Sequence, residues 1–316
     1  MAFCADKPSR GREVAGSVSV IICTHDRPEA LSTCLESLAL QVRPPDEVIV
    51  VDNAPSDSRT QIVASAHRVV YVREDRAGLS HARNAGVKAA KGDFLVFTDD
   101  DAEVDPHWIQ EIVKAFHDPD VMAATGIVLP ARLDTQAQWI FEKHWSFNQG
   151  FNPQIFDSSH FKKYKGKGYP CWRIGAGVNM AFRKEAFFKF GLFDTRLGAG
   201  ASGCSEDSEY WYRIISSGYK CAYEPMAVVR HHHRSDISAL KQQIHSYMCG
   251  HVVGLLVQFE KWNDFGNIRR LFLSIPKYYF KLTFFTNDTD RRCTIVDEIT
   301  GSLLGFLYYF RHRKTQ

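Results

Sequence analysis

The sequence predicts an α/β fold: a mostly parallel sheet with helices on both faces, followed by an α-helical C-terminal extension. Three observations predict it. Strand-length apolar runs alternate with helix-length amphipathic runs through the first 130 residues. The strand-like runs are apolar throughout, as strands covered on both faces must be. Polar side chains suited to chemistry follow those runs, where open α/β sheets form their ligand crevice.

The elements follow in order. Residues 1–15 are polar and charged and read as a disordered leader. Val18-Ser-Val-Ile-Ile-Cys23 is the first strand, and Pro28 opens a helix whose apolar face is Leu31, Leu35, Leu38 and Leu40. Glu47–Val51 is the second strand, 57–66 a helix, 69–73 the third strand, and 79–90 a helix closed by Lys91-Gly92. Strand 93–98 runs into Asp99-Asp-Asp101; a helix from Pro106 and a strand at 121–128 complete the first half.

Between Trp139 and Trp172 ten aromatics are interleaved with Lys162, Lys163, Lys165 and Lys167, without helical spacing. This stretch is read as a lid or acceptor loop. Regular structure resumes at Ala176–Phe182, continues through a helix at 184–190 and another from Ser205, and reaches strand-like segments 219–223 and 227–230 before His231-His-His233. The expected organisation is a catalytic domain over 16–233, split near residue 130, and a helical region over 234–316.

A formal net charge of +3 is too small to argue for nucleic acid, which is not expected as a partner. The eight cysteines stand singly with no C-x-x-C pair, so a zinc site is not expected. Without an apolar h-region in the first fifteen residues, the chain is expected in the cytoplasm, at most touching the inner face of the membrane.

Three adjacent carboxylates repel one another unless a cation sits among them, and oxygen ligands suit Mg²⁺ or Mn²⁺ shared with substrate phosphates. Asp99 and Asp101 form a D-x-D at a strand end. Other strand ends carry Thr24 and Arg27, Asp52, and Arg76, Arg83 and Asn84. Polar groups at four successive carboxyl ends point to one nucleotide-diphosphate site. Asp52 is suited to accept from a pyrimidine imide N–H, which favours UDP or dTDP while leaving GDP open. Glu206-Asp207, at a helix start after a glycine-rich stretch, reads either as a cap or as a general base. His231 and His233 share a strand face, and one of them would complete a metal shell with Asp101.

Ser19–Arg27, Asp46–Asn53, Gly78–Gly86 and Phe97–Asp101 resemble the nucleotide-sugar half of family 2 glycosyltransferases, whose GT-A fold is Rossmann-like. Gly175–Phe182, Gly191-Leu-Phe-Asp194 and Glu206-Asp207 resemble the acceptor half. The resemblance implies an inverting transferase in which Asp52 contacts the base, Arg83 the ribose or diphosphate, Asp99 the ribose or metal, and Asp101 the metal. Asp100 joins the nucleotide-sugar set. Asp207 would be the base, with Glu206 orienting it or binding the acceptor. Trp145, Trp172 and Asn179 are expected on the acceptor side, where a glycan or lipid-linked molecule would bind. The long aromatic segment has no counterpart in the family pattern.

Two other readings compete. A nucleotidyltransferase would carry a glycine-rich phosphate loop after strand one, where Thr24-His-Asp-Arg-Pro28 stands instead. A non-catalytic nucleotide-sugar scaffold would not need Glu206-Asp207. From residue 268 onward, large apolar residues mix with cations. Such helices either lie on an anionic membrane surface or pack on the catalytic domain or in a homo-oligomer.

Overall fold

All seven residues of β1 (Val18–Thr24) are buried, and the first half of the protein is built around this strand. β2 (Glu47–Asn53) and β4 (Phe94–Asp99) pair with it in parallel on opposite sides, and β3 (Val70–Glu74) lies parallel to β2. The chain thus moves outward from β1 to β3 and then returns to the other side of β1. That reversal opens a crevice at the carboxyl ends of β1 and β4. The crossovers are α1 (Pro28–Leu38), α2 (Arg59–Ala66) and α3 (Leu79–Ala89). α1 buries Leu31, Cys34, Leu35 and Leu38, the spacing of one helical face. The computed structural model describes residues 14–313. The leader expected over 1–15 therefore lies, up to residue 13, outside the described residues; Val14, at its end, packs on the core.

The second half is mixed rather than parallel. The remaining strands are β5 (Ala102–Val104), β6 (Val121–Pro130), β7 (Gln154–Phe156), β8 (Met180–Arg183) and β9 (Lys220–His231). The nine-stranded sheet has the order β3-β2-β1-β4-β8-β6-β9-β5, with β7 on β9. β6 and β9 run with β1 to β4, whereas β5, β7 and β8 run against them. Helix α4 (Trp108–Lys114) follows β5 and starts just beyond Pro106. The segments expected as two strands at 219–223 and 227–230 are one strand with a bulge. Its register against β6 jumps from Gly126↔Glu224 to Ile127↔Val228.

The bulge explains Asn179, which was expected to meet an acceptor. The residue is fully buried. Its Nδ2 donates to the Ile127 and Ala227 carbonyls, each at 2.8 Å, and its Oδ1 accepts from Trp108 Nε1 at 2.8 Å. The amide replaces ladder bonds lost at the irregularity, so the acceptor expectation is corrected to a structural one.

The aromatic stretch also differs from expectation. It begins with a regular helix, α5 (Gln136–Trp145), held by a capping box in which Thr135 accepts from Gln138 N–H. α5 buries Ala137, Ile140 and Phe141. α6 (Ser158–Lys163) and a 3-10 turn at Cys171–Arg173 follow β7. α7 (Glu185–Phe190) and α8 (Glu206–Ser216) complete this half.

The C-terminal region is helical, as expected: α9 (Ile237–Trp262), α10 (Phe265–Arg269), a π turn at Arg270–Ser274, α11 (Ile275–Phe285), α12 (Thr289–Arg292) and α13 (Ile295–His312). α9 is not an appendage. A Cβ on its Gly250 would collide with the backbone of Cys204, so glycine lets the helix lie directly against the loop that leads into α8. A salt-bridge group reinforces the junction. Asp194 pairs with Arg196 and with Lys261 of α9, and Arg196 also pairs with Glu260.

Replacing Asn179 with Ala is expected to strand two carbonyls and an indole N–H. The stability loss is expected to be at least about 2 kcal/mol, because each unpaired buried group costs on the order of 1–3 kcal/mol. Urea unfolding measures it, and a loss under about 0.5 kcal/mol would contradict the assigned role.

Candidate active site

A cleft of about 1450 Å³ opens at the carboxyl ends of β1 and β4 and runs to the C-terminal helices. Its floor is the acidic turn after β4, where three adjacent carboxylates have three different surroundings. Asp100 turns inward: Thr24 Oγ1 donates to it at 2.7 Å and Arg27 Nη1 at 2.9 Å. Burial pushes its carboxyl up to about 7 against the pull of Arg27. Asp101 accepts from the same Arg27 nitrogen at 2.7 Å and lies 3.3 Å from His231 Nε2. Burial works against its charge, but His231, Arg27 and Arg234 prevail and hold the carboxyl well below the usual carboxylate range. Asp99 is the most open of the three and meets Arg83 Nη2 at 3.4 Å.

Arg83 joins the two halves of the site. Its guanidinium is almost wholly buried; Nη1 donates to Glu206 Oε1, while Nη2 reaches Asp99. A Cβ at Gly177 would stand 2.8 Å from Nη2, so glycine leaves room for this approach. Burial disfavours the cation, yet Glu206 and Asp99 hold its pKa above the ordinary arginine value. The helix carrying Arg83 is fastened to the facing loop. Leu79 N–H donates to Ala199 O at 2.8 Å, Ser80 Oγ to Leu197 O at 2.7 Å, and Asn84 exchanges two bonds with the Phe193 backbone.

At the start of α8, Ser205 takes a left-handed conformation (φ 76°), which turns the chain so that Glu206 and Asp207 both face the cleft region. Their carboxyls differ. Glu206 is buried, bonded to Arg83 and pushed up to about 7 by that burial, which Arg83 opposes. Asp207 is half-buried, and its Oδ1 accepts from Ser208 N–H at 2.5 Å. Burial also raises Asp207, again opposed by Arg83.

Several other expected residues line this cleft: Thr24, Arg27, His231, Trp145 and Trp172. Arg270 lies 4.8 Å from the Trp172 ring centre. Others do not. Asp52 is fully buried, and Tyr71 donates to its Oδ2 at 2.8 Å. Arg76 points away and forms a two-pronged pair with Glu74, both contacts at 2.8 Å. His233 shares a face with His231, as alternation requires, but its Nε2 meets Glu142 at 3.2 Å and its Nδ1 meets His231 at 3.1 Å. His231 is therefore the imidazole beside the acidic turn. Sequence reasoning missed His25, Asn53 and Arg234, all of which line the cleft. The position of Arg234 just past the histidine run was its one available signal. It also missed the wall that α9 supplies through Gln242, His245 and Ser246.

Among the described residues, no three His, Cys, Asp or Glu side chains form a ready-made metal cage. Asp101 and His231 stand 3.3 Å apart at the acidic turn, beside Asp99, the most open of its carboxylates.

Residues 19–190 match the model of Glycosyl transferase family 2. A glucosyl-dolichyl phosphate glucuronosyltransferase of Haloferax volcanii is 27% identical over 189 residues, 57% of each chain. An uncharacterized glycosyltransferase of Haemophilus influenzae is 24% identical over 281 residues, 84% of this chain and 89% of the other. The chain spans 57% of the glucuronosyltransferase and 20% of glycosyltransferase GlyA of Streptococcus pneumoniae, to which it is 26% identical over 48% of its own length. A mannosyltransferase of Pyrobaculum calidifontis, solved in complex with GDP-Man and Mn²⁺, superposes with a TM-score of 0.63 at 19% identity. The match covers 93% of this chain and 88% of that one. The fold expected from the sequence is therefore the fold observed.

Arg83→Met is expected to leave Glu206 as an uncompensated buried carboxyl and to cost about 3–5 kcal/mol. Adding Glu206→Met should recover at least about 1 kcal/mol of that loss, measured by urea unfolding of both variants. Strictly additive losses would refute the pairing.

Proposed function

The chain belongs to glycosyl transferase family 2, and from that membership we propose that it transfers a sugar, with inversion, from a nucleoside-diphosphate sugar to a hydroxyl of a glycan or lipid-linked acceptor. One observation carries the proposal. Within one cleft, Arg83 connects Asp99, at the end of a donor-half strand, to Glu206 and, beside it, Asp207, at the start of an acceptor-half helix.

The division of labour follows from the contacts. Glu206 is committed to Arg83 and positions it. Asp207 is held by Ser208 and forms no salt bridge among the described residues, so it is the group left to take the proton of an acceptor hydroxyl. Burial raises its pKa against the pull of Arg83, and a raised pKa makes it a stronger base. Arg27 and Arg83 face the developing charge of the departing diphosphate, where fixed cations in a partly dry site stabilise it. Asp99 and Asp101, with His231, would hold Mn²⁺ or Mg²⁺; when bound, the ion supplies charge neutralisation to the leaving group. One base suffices for inversion, and no covalent sugar–enzyme intermediate is required.

The donor base is taken as UDP, dTDP or GDP. The pyrimidine preference rests on Asp52 at the end of β2, a buried carboxylate whose Oδ2 accepts from Tyr71. The structural neighbour's GDP-Man and Mn²⁺ keep GDP donors and Mn²⁺ among the candidates.

Asp207→Asn should lower turnover at least ~100-fold, the scale of a lost general base, while the donor-induced rise in melting temperature persists. In the same thermal-shift panel, EDTA should remove that rise and added Mn²⁺ or Mg²⁺ should restore it. Undiminished turnover would reject Asp207 as the base; a donor shift indifferent to EDTA would reject the metal.

A further inference from the structure

The C-terminal helices leave an apolar face in the open. α11 contains no carboxylate, and Tyr279 is its one buried residue; Phe280, Phe284 and Phe285 are 58%, 66% and 75% exposed. α13 packs one stripe, including Glu298, Gly305 and Tyr309, toward α9 and turns Val296, Leu303, Leu307 and Phe310 outward. Those four share one helical face. The π turn before α11 exposes Phe272 and Leu273, and the Phe272 ring lies 5.6 Å from Phe306 of α13, which joins the two helices.

Exposed cations stand among these side chains: Lys277 and Lys281 on α11, Arg311 and Arg313 at the end of α13. A contiguous apolar surface of this kind marks a docking site, because monomeric proteins rarely leave one exposed. Its charge selects the partner. A second copy meeting this face about a two-fold axis would bring lysines and arginines against their own images. An anionic lipid surface neutralises the same cations and accepts the aromatic and aliphatic side chains at headgroup depth. No helix among the described residues is long and apolar enough to cross a membrane, so the contact is with the surface. Ile275, Tyr278, Leu304 and Tyr308 line the cleft where it meets this face.

We propose that α11 and the outer stripe of α13 dock on an anionic lipid surface, with the far end of the cleft opening toward it. The cleft's part in delivering an acceptor rests on the transferase reading; the docking itself does not.

Co-sedimentation of the full chain with phosphatidylcholine vesicles, with and without phosphatidylglycerol, tests the proposal. The wild type should pellet with the anionic vesicles and more weakly with phosphatidylcholine alone. Phe284→Glu/Leu307→Glu should weaken binding to the anionic vesicles at least ~tenfold, as should Lys277→Glu/Lys281→Glu. All four positions are exposed, and unchanged far-UV circular dichroism and melting temperature confirm that the variants fold. Equal pelleting of wild type and variants overturns the proposal. So does absence of pelleting, or a wild-type dimer that the variants dissociate and that binds no vesicles. Pelleting requires no nucleotide, so its failure leaves the transferase reading standing, and loss of transfer leaves the docking standing.

Discussion

A buried guanidinium shared among carboxylates from two halves of the chain is the constraint on which this site depends. Arg83 leaves water only because Glu206 and Asp99 meet it, and Asp207 lies close enough to feel its charge. Removing any one of the carboxylates changes the field at the others. Much of the surrounding structure serves this placement. Ser80 and Asn84 lock α3 to the 193–199 loop, Gly177 clears space beside the guanidinium, and α9 presses the 203–205 loop so that α8 begins where it must.

The acidic turn shows how neighbours in sequence become different chemical groups. Asp99 ends a strand and looks toward Arg83; Asp100 turns under, where Thr24 and Arg27 satisfy it; Asp101 emerges between Arg27 and His231. Burial pushes the inner carboxyl up while partners hold the outer one down. Arg27 bridges Asp100 and Asp101 from the end of β1, which makes the first strand's loop part of the floor.

The sequence made legible what local rules determine. Apolar runs and their polar ends located β1 to β4, and thereby Thr24, Arg27, Asp99, Asp100 and Asp101, because a buried strand must end where chemistry can begin. Alternation placed His231 and His233 on one face, but not which of them reaches the acidic turn; Glu142 on α5 decides that, and α5 itself was hidden by aromatics without helical spacing. Asp52 and Arg76 stand at the expected strand ends but are held by neighbours, for a related reason. A strand end specifies where the backbone stops but not what a neighbouring Tyr71 or Glu74 will claim. Asn179 answers a bulge in strands distant in sequence, and no local pattern announces a bulge.

The central claim is that Arg83 makes the two halves of the chain one energetic unit. Calorimetric titration of UDP, dTDP and GDP, each with Mn²⁺, into wild type and Glu206→Gln tests it most directly. Glu206 stands in the second half of the chain, yet neutralising it should release Arg83 toward a bound diphosphate. The best-bound nucleotide should therefore bind at least ~fivefold more tightly to the variant, the lower end of typical coupling between sites. Equal affinity in the two proteins would mean that the halves share a cleft but not a charge, and the account would fail.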